Sequence, residues 1–281
     1  MSRPPSRWEE AVEWLRSRPD GQDLVLAAYY DDPLIGAATR YWESLEWEEI
    51  RRLFGNTRGR ALDVGAGRGI ASFALAHEGF NVTALEPDGS SLVGAEAIRS
   101  LAKESGLGIN VIQEFSETLP FPDNQFDLVF ARAVLHHTKD LPAACREFVR
   151  VLKPGGRLIA IREHVISRKR DLPAFLSRHS LHQLYGGENA FLLPEYKDAI
   201  LSAGFKIESV LRPLESVINF APYSEETLKD AIADQMGRLP AIRGMIRGAM
   251  NQPGMWSIAR KVLSYVDQRP GRLYSFVCTR P

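Results

Sequence analysis

From residue 60 onward, short apolar runs alternate with longer stretches whose apolar positions recur every three or four residues. The runs are RALDV at 60–64, NVTALE at 81–86, INVIQE at 109–114, FDLVFAR at 126–132 and GRLIAIR at 156–162, with helix-like segments between them at 69–78, 90–105 and 141–151. Strand-like runs separated by helical patterns of this length predict βα units and a mostly parallel sheet. LKPGG at 152–156 reads as the turn that launches the fifth strand. A sixth run, 205–213, follows a probable-length helix at 195–203, and a seventh, 271–281, closes the chain. Between these two lies a helical insertion, 224–267, whose methionines are expected to fill core gaps. Upstream, 8–18 and 37–54 read as amphipathic helices anchored by Trp8, Trp14, Tyr41, Trp42, Leu45 and Trp47. The pattern predicts an α/β protein with a seven-stranded, mostly parallel sheet flanked by helices. A helical cap or lid over 1–54 precedes the main domain, 55–281, which carries the insertion.

Composition narrows the class. With 281 residues, 44% hydrophobic and 25% charged, the chain reads as an ordinary soluble globular protein with a substantial core. Thirty-five basic and 35 acidic side chains cancel, so the overall electrostatic footprint of a nucleic-acid backbone binder is absent. Two distant cysteines, Cys145 and Cys278, make no metal-ligand pair and suit a reducing cytoplasmic compartment. The N-terminus has no apolar targeting core, and no stretch approaches the roughly 18 apolar residues of a membrane span. Nothing in the pattern selects between a monomer and a homo-oligomer.

The chemistry concentrates at the first strand–helix junction. Gly65, Gly67 and Gly69 fall in the turn after the first strand, where glycine permits a tight bend and lets a ligand lie against backbone amides. Glu86 ends the second strand, where a carboxylate can accept both hydroxyls of a ribose. A dinucleotide fingerprint would need its third glycine at Ile70, and the Lys-Ser/Thr of a phosphate loop is missing as well. The turn therefore suits a nucleoside better than its phosphates, which disfavours a nicotinamide oxidoreductase.

DVGAGRG at 63–69 and EPD at 86–88, followed in order by LPFPDNQFDLVFARAVLHH at 119–137 and REFVRVLKPGGRLIA at 146–160, resemble the motifs of class I S-adenosylmethionine-dependent methyltransferases. The resemblance covers residues 55–212 and implies a Rossmann-like sheet with S-adenosyl-L-methionine as cofactor and S-adenosyl-L-homocysteine as product. It also implies that Asp63 and the loop of Gly65, Ala66, Gly67 and Gly69 hold the methionyl end, that Glu86 holds the ribose, and that Pro87 and Asp88 line the adenosine side. Members of the family commonly carry an Asp-Ala pair where this chain has Phe115 and Ser116. Phe115 could cover an adenine face and the Ser116 amide could meet the ring, or Glu114 or Glu117 could supply the missing acceptor.

For the methyl acceptor, five of the six histidines lie between 136 and 182, after the fourth and fifth strands. His137, His164 and His182 are the candidate bases, with His137 first; pocket wall and structural hydrogen bond are the competing roles for His137. His136 reads as packed away from the cleft, though still a candidate contact to the acceptor. Arg132 ends an otherwise apolar strand and needs a partner, an internal carboxylate or an anionic group of cofactor or substrate. Arg162 ends the fifth strand beside Glu163 and His164. Tyr29 and Tyr30, in the AYYDDP loop, and His179, His182, Tyr185, Glu188 and Asn189, in the polar 177–191 loop, complete the candidate substrate contacts. No metal is expected. His179 and His182 lie at i, i+3 with His164 or Glu163 to hand, but no H-E-x-x-H or cysteine cluster supports a site. Ala131, Arg132 and Ala133 replace the signature of nucleobase amino-group methylation. The expected function is methyl transfer to an oxygen or nitrogen of a small molecule. A non-catalytic module that binds S-adenosyl nucleosides would keep the cofactor residues and pack the acceptor cavity shut.

Overall fold

Seven runs form strands as expected, and an eighth joins them in the computed structural model, which describes residues 7–237 and 239–281. The strands are β1 (Arg60–Val64), β2 (Asn81–Leu85), β3 (Ile109–Ile112), β4 (Phe126–Arg132), β5 (Leu152–Ile166), β6 (Phe191–Leu192), β7 (Lys206–Leu211) and β8 (Arg272–Thr279). Their order is β3-β2-β1-β4-β5-β8-β7, with β6 paired to β5 off this path. Only β8 runs antiparallel to its neighbours β5 and β7. The expectation of seven strands is one short because β6 has two residues, too few to show a period.

The helices are α1 (Trp8–Arg16), α2 (Gln22–Ala27), α3 (Leu34–Trp42), α4 (Leu45–Phe54), α5 (Ile70–His77), α6 (Ala95–Ser105), α7 (Leu141–Val151), α8 (Leu172–Leu176), α9 (Ser180–Tyr185), α10 (Leu193–Ser202), α11 (Val217–Phe220), α12 (Glu225–Met236), α13 (Pro240–Met250) and α14 (Met255–Val266). The single helix expected over 37–54 is two. The Ser44 hydroxyl accepts the Trp47 amide at 3.1 Å and starts α4 afresh. The LKPGG turn lies within β5, where residues 153–156 bulge out between the Phe126–Leu152 and Leu128–Arg157 pairings.

Strand alternation builds one core on each side of the sheet. Ala61, Leu128, Phe130, Ile159 and Ile161 face α3, α4 and α5, meeting Tyr41, Trp47, Ile50, Phe54 and Leu75. Leu62, Val64, Val129, Ala131, Leu158 and Ala160 face the other way, against Leu141, Cys145 and Phe148 of α7 and Tyr196 and Ile200 of α10. The insertion packs as α12–α14 around Leu214, Phe220, Leu228, Met250 and Trp256. Of its methionines, Met250 fills core as expected, whereas Met236, Met245 and Met255 are exposed.

The same alternation carries Arg132, at the end of β4, to the α4 side. There its Nε and Nη2 donate to the two oxygens of Glu46 at 2.9 and 3.2 Å. Glu46 is 2% exposed and Arg132 17%. Removing one member of a buried pair strands the other charge. Glu46→Ala should therefore lower the unfolding free energy by about 3 kcal/mol, the low end for such pairs because water in the cavity reaches Arg132. A urea titration checks this, and a loss below about 1 kcal/mol would show that the pair is not a structural tie.

Candidate active site

The carboxyl ends of β1, β2, β4 and β5 open into one cavity of about 620 Å³. At its β1–β2 end the backbone turns through Gly65 (φ +60°) and Gly67 (φ +55°) before α5 begins. A Cβ on Gly65 would meet Val134 at 2.7 Å, so both the turn and the close approach require glycine there. Gly69 also has positive φ, but its missing Cβ makes room for Ile98 of α6 and it does not line the cavity. Asp63 is buried and accepts the Ser72 hydroxyl at 2.6 Å. Burial, only partly offset by Ser72, raises its pKa to about 7.

Glu86 braces the loop. Its two oxygens accept the Gly67 amide at 2.7 Å and the Asp88 amide at 2.9 Å, and each oxygen keeps a further lone pair. Burial, outweighing those two amides and reinforced by the neighbouring Asp88 and Asp63 carboxylates, lifts its pKa to about 7.

The N-terminal segment roofs this end. Trp8 lines the cavity with its ring edge 3.4 Å from where a Gly67 Cβ would sit, and its Nε1 donates to the Tyr30 hydroxyl at 3.0 Å. Arg68, from the glycine loop itself, is 5% exposed and donates to the carbonyls of Tyr29 and Asp31 and to the Asp32 carboxylate. Tyr29 packs its ring against Arg132, with the guanidinium carbon 5.8 Å from the centroid. Trp42 and Trp47 instead bind Glu78 through their indole nitrogens, on the sheet side of the cap.

Histidines line the β4–β5 end. A bulge in β5 at Arg162 (φ +60°) breaks the alternation, so that Arg162 shares the face of Ile161 and every later residue changes sides. Arg162 turns to the α4 side and donates to the carbonyls of Ile218 and Ala221, its cation disfavoured by burial and by Arg132 although Glu46 supports it. Glu163 turns to the α7 side, wholly buried, and accepts the amides of Val134, Leu135 and His136. It also holds His136 Nδ1 at 2.7 Å. Burial opposes the His136 cation, but the Glu163 charge and hydrogen bond, with Glu188 beyond, lift its pKa to about 9. His137 donates from Nδ1 to the Gly187 carbonyl at 3.0 Å, which leaves Nε2 unprotonated in the neutral ring, 3.7 Å from Glu188. Burial and the His136 cation lower its pKa. His164 likewise donates to the Gly271 carbonyl at 2.8 Å, and burial and His136 press its pKa down to about 3. Burial works against the Glu188 carboxylate, yet His136, His137 and His179 hold its pKa down at about 2.

Of the residues singled out in the sequence, Tyr29, Tyr30, Asp63, Gly65, Ala66, Gly67, Glu86, Pro87, Phe115, Ser116, Arg132, His136, His137, Arg162, His164 and His179 line the cavity. His182 and Asn189 do not; His182 gives its amide to His179 Nδ1 at the start of α9. Tyr185 ends α9, and its side chain lies outside the described residues. His136, expected to pack away from the cleft, is 1% exposed yet reaches the cavity wall. Of the two partners open to Arg132, the structure supplies the internal carboxylate, Glu46, which no local pattern marks. Glu188, singled out in the 177–191 loop, also lines the cavity, and Arg68 is a further side chain of consequence that no local pattern marks.

A glycine cradle, a ribose-height carboxylate and a polar chamber beyond them define an α/β nucleoside-binding protein with room for a second ligand. Residues 62–160 match the family described as "Methyltransferase domain". The ubiquinone/menaquinone biosynthesis C-methyltransferase UbiE of Pectobacterium atrosepticum is 31% identical over 222 residues, 74% of this chain and 78% of that protein. The uncharacterized methyltransferase YcgJ of Bacillus subtilis is 37% identical over 103 residues, 36% of this chain and 40% of that protein. The match to YcgJ thus spans under half of its length. Among solved structures, the cyclase SpnF superposes with a TM-score of 0.57 at 19% identity, covering 100% of this chain and 98% of that one, a likeness of fold. The chain belongs to the class I S-adenosylmethionine-dependent methyltransferase family.

The residues present fit the family's cofactor, S-adenosyl-L-methionine. Gly65 and Gly67 leave backbone where side chains would intrude, and Glu86 keeps lone pairs free for two hydroxyl donors. Hydroxyl donors favour the ionised carboxyl, and with a free pKa of about 7 that form must be generated below neutrality. The dissociation constant for S-adenosylhomocysteine should therefore rise as pH falls from about 8 to about 6, approaching tenfold per unit at the acid end. Glu86→Gln should weaken binding by about 1.5–3 kcal/mol and flatten the slope, leaving the share due to Asp63. Calorimetry across this range checks both, and an unchanged slope in the variant would remove Glu86 from the ribose.

Proposed function

We propose that this protein transfers the methyl group of S-adenosyl-L-methionine to an oxygen or nitrogen of a small-molecule acceptor. The observation that carries this reading is the continuity of one cavity from Glu86 and the glycine loop to the histidine-lined chamber after β4 and β5. A module that only bound the nucleoside would have no use for the second chamber, and Ile70 still disfavours a nicotinamide. Bound S-adenosylmethionine supplies a methyl group on a sulfonium, whose sulfur keeps the bonding electron pair when the methyl leaves.

The chain's own work is alignment, exclusion of water and removal of a proton. Asp63 and the Gly65–Gly67 backbone take the methionyl end, Glu86 the ribose, and Pro87, Phe115 and Ser116 the adenine. Phe115 is 60% exposed, and an apolar ring left in water gains most from a planar partner. Trp8 and Tyr30 close over the cofactor as a lid, tied to the glycine loop through Arg68. His137 takes the acceptor's proton on Nε2, because the Gly187 carbonyl holds its other nitrogen in the donor role. Tyr29, Arg162 and His179 form the wall against which the acceptor lies.

A second reading follows from the name of the Pectobacterium relative, a C-methyltransferase. A ring or enol carbon conjugated to an ionised hydroxyl is a nucleophile too, and the same base would serve it by removing the hydroxyl proton. Incubating the protein with carbon-13 methyl-labelled cofactor and a panel of hydroxylated and amino small molecules tests the function, and the label's chemical shift separates O-, N- and C-methylation. His137→Asn should lower kcat by about 10²–10⁴ with S-adenosylhomocysteine affinity unchanged. A variant with wild-type kcat would reduce His137 to pocket wall. Failure of the wild type to bind either S-adenosyl nucleoside would end the methyltransferase reading.

A further inference from the structure

Three side chains that methyl transfer does not require converge in the inner chamber: His136 from the turn after β4, His164 from β5, and Glu188 from the loop between α9 and β6. One ligand atom from each lies within 4.8 Å of the others. We propose that this trio binds a divalent transition-metal ion of the Zn2+, Co2+, Mn2+ or Fe2+ class, with its remaining coordination positions open to the acceptor cavity.

The orientation of the two imidazoles carries the proposal. A metal-bound histidine characteristically gives its other nitrogen to a carboxylate or a backbone carbonyl, which fixes the ring and the tautomer. His136 does so with Glu163 at 2.7 Å, and His164 with the Gly271 carbonyl at 2.8 Å. Glu163 is itself immobilised by three backbone amides. Both rings are thus held by Nδ1 and present Nε2.

Glu188 supplies the second, independent observation. It is 8% exposed, and its Oε2 is buried with no hydrogen-bond partner among the described residues. His136 Nε2 lies 3.6 Å from that oxygen, too far for a good hydrogen bond. His136, His137 and His179 face this carboxylate only at 3.6–3.9 Å, and a metal ion that takes the place of the Nε2 proton of His136 would bond the bare oxygen directly. Glu163 and Glu188, on either side of His136, together match the charge of a divalent ion. Metal–nitrogen and metal–oxygen bonds of about 2.0–2.2 Å require the ligand atoms to close in by roughly an ångström. The Glu188 loop can make that adjustment. Two imidazoles and one carboxylate select transition metals over Mg2+ and Ca2+, which prefer all-oxygen shells. The i, i+3 pair His179–His182 is not this site, since His182 stays out of the cavity.

Tag-free full-length protein, stripped with chelator, should bind one Co2+ per chain with the visible absorption of a nitrogen–oxygen site, and Zn2+ should displace it. Glu188→Gln and His164→Gln should each weaken Co2+ binding at least about a hundredfold. Glu163→Gln, which alters the outer partner of His136 and the acceptor of three backbone amides but no ligand atom, should weaken it by about 10–100-fold. S-adenosylhomocysteine affinity, read by calorimetry on the same samples, should stay at the wild-type value and so report that each variant is folded. Absence of Co2+ and Zn2+ binding by the wild type below about millimolar concentration, or equal affinity in folded Glu188→Gln, would overturn the proposal and leave the trio a proton-holding network. Neither result bears on methyl transfer, which stands or falls on nucleoside binding and the labelled product.

Discussion

A charge taken out of water must be met inside the protein, and at the carboxyl edge of this sheet four strands deliver five. β1 carries Asp63 just before its end, β2 runs into Glu86, β4 ends in Arg132, and β5 carries Arg162 and Glu163. Each is answered differently. Asp63 has the Ser72 hydroxyl, Glu86 has two amides, Arg132 has Glu46, and Glu163 has three amides and an imidazole. Glu86, which meets only two amides, leaves lone pairs over for a ligand, whereas Glu163 has its four acceptor sites filled and the arginines are paired or bound to carbonyls. Where the protein has spare hydrogen-bonding capacity is therefore where its ligands belong.

The cap follows from the same constraint. Helices as short as α1 and α2 are not stable alone and must bury their apolar faces. Val12, Leu15, Val25 and Tyr30 do so against Val93, beside the cofactor loop. Arg68 makes that docking specific, because a buried guanidinium inside the glycine turn has its carbonyl partners only when the 29–32 segment is in place. Arg68 thus ties the glycine loop to the 29–32 segment, and Trp8 lies against the same loop at Gly67. α3 and α4 are a different matter: Tyr41, Trp47 and Phe54 belong to the sheet's own core and have no freedom to lift.

How far this was legible in the chain depends on range. Strands β1 to β5 and the glycine turn declare themselves within a dozen residues, through period, turn chemistry and the acid that ends a strand. Glu86 could be singled out as a cavity residue for that reason. Glu46 could not, because its meaning comes from Arg132, 86 positions away, and on α4 it looks like any acid in a helix's first turn. The polarity of Arg162, Glu163 and His164 was visible, but not the bulge that exchanges the faces they take, since one residue of slip inverts every later side chain. Glu188 was visible as one polar residue in a polar loop. Its weight comes from burial, and burial depends on histidines contributed by two strands and a loop.

These limits bear on where specificity resides. The sheet edge supplies chemistry that many acceptors could share: a base, a cofactor cradle and a cluster of imidazoles. What differs from one such protein to another must lie in what closes the cavity, and here that closure comes from outside the 62–160 segment that matches the family. Trp8, Tyr29 and Tyr30 come from before it, and His179, Glu188, Pro222 and Leu273 from after it. The insertion α12–α14 surrounds a core of its own and meets the chamber only at its margins, through Pro222 and the strand that follows it. The cavity is thus closed by segments whose folding depends on the sheet but whose sequences the sheet does not constrain, set over the same five charged side chains.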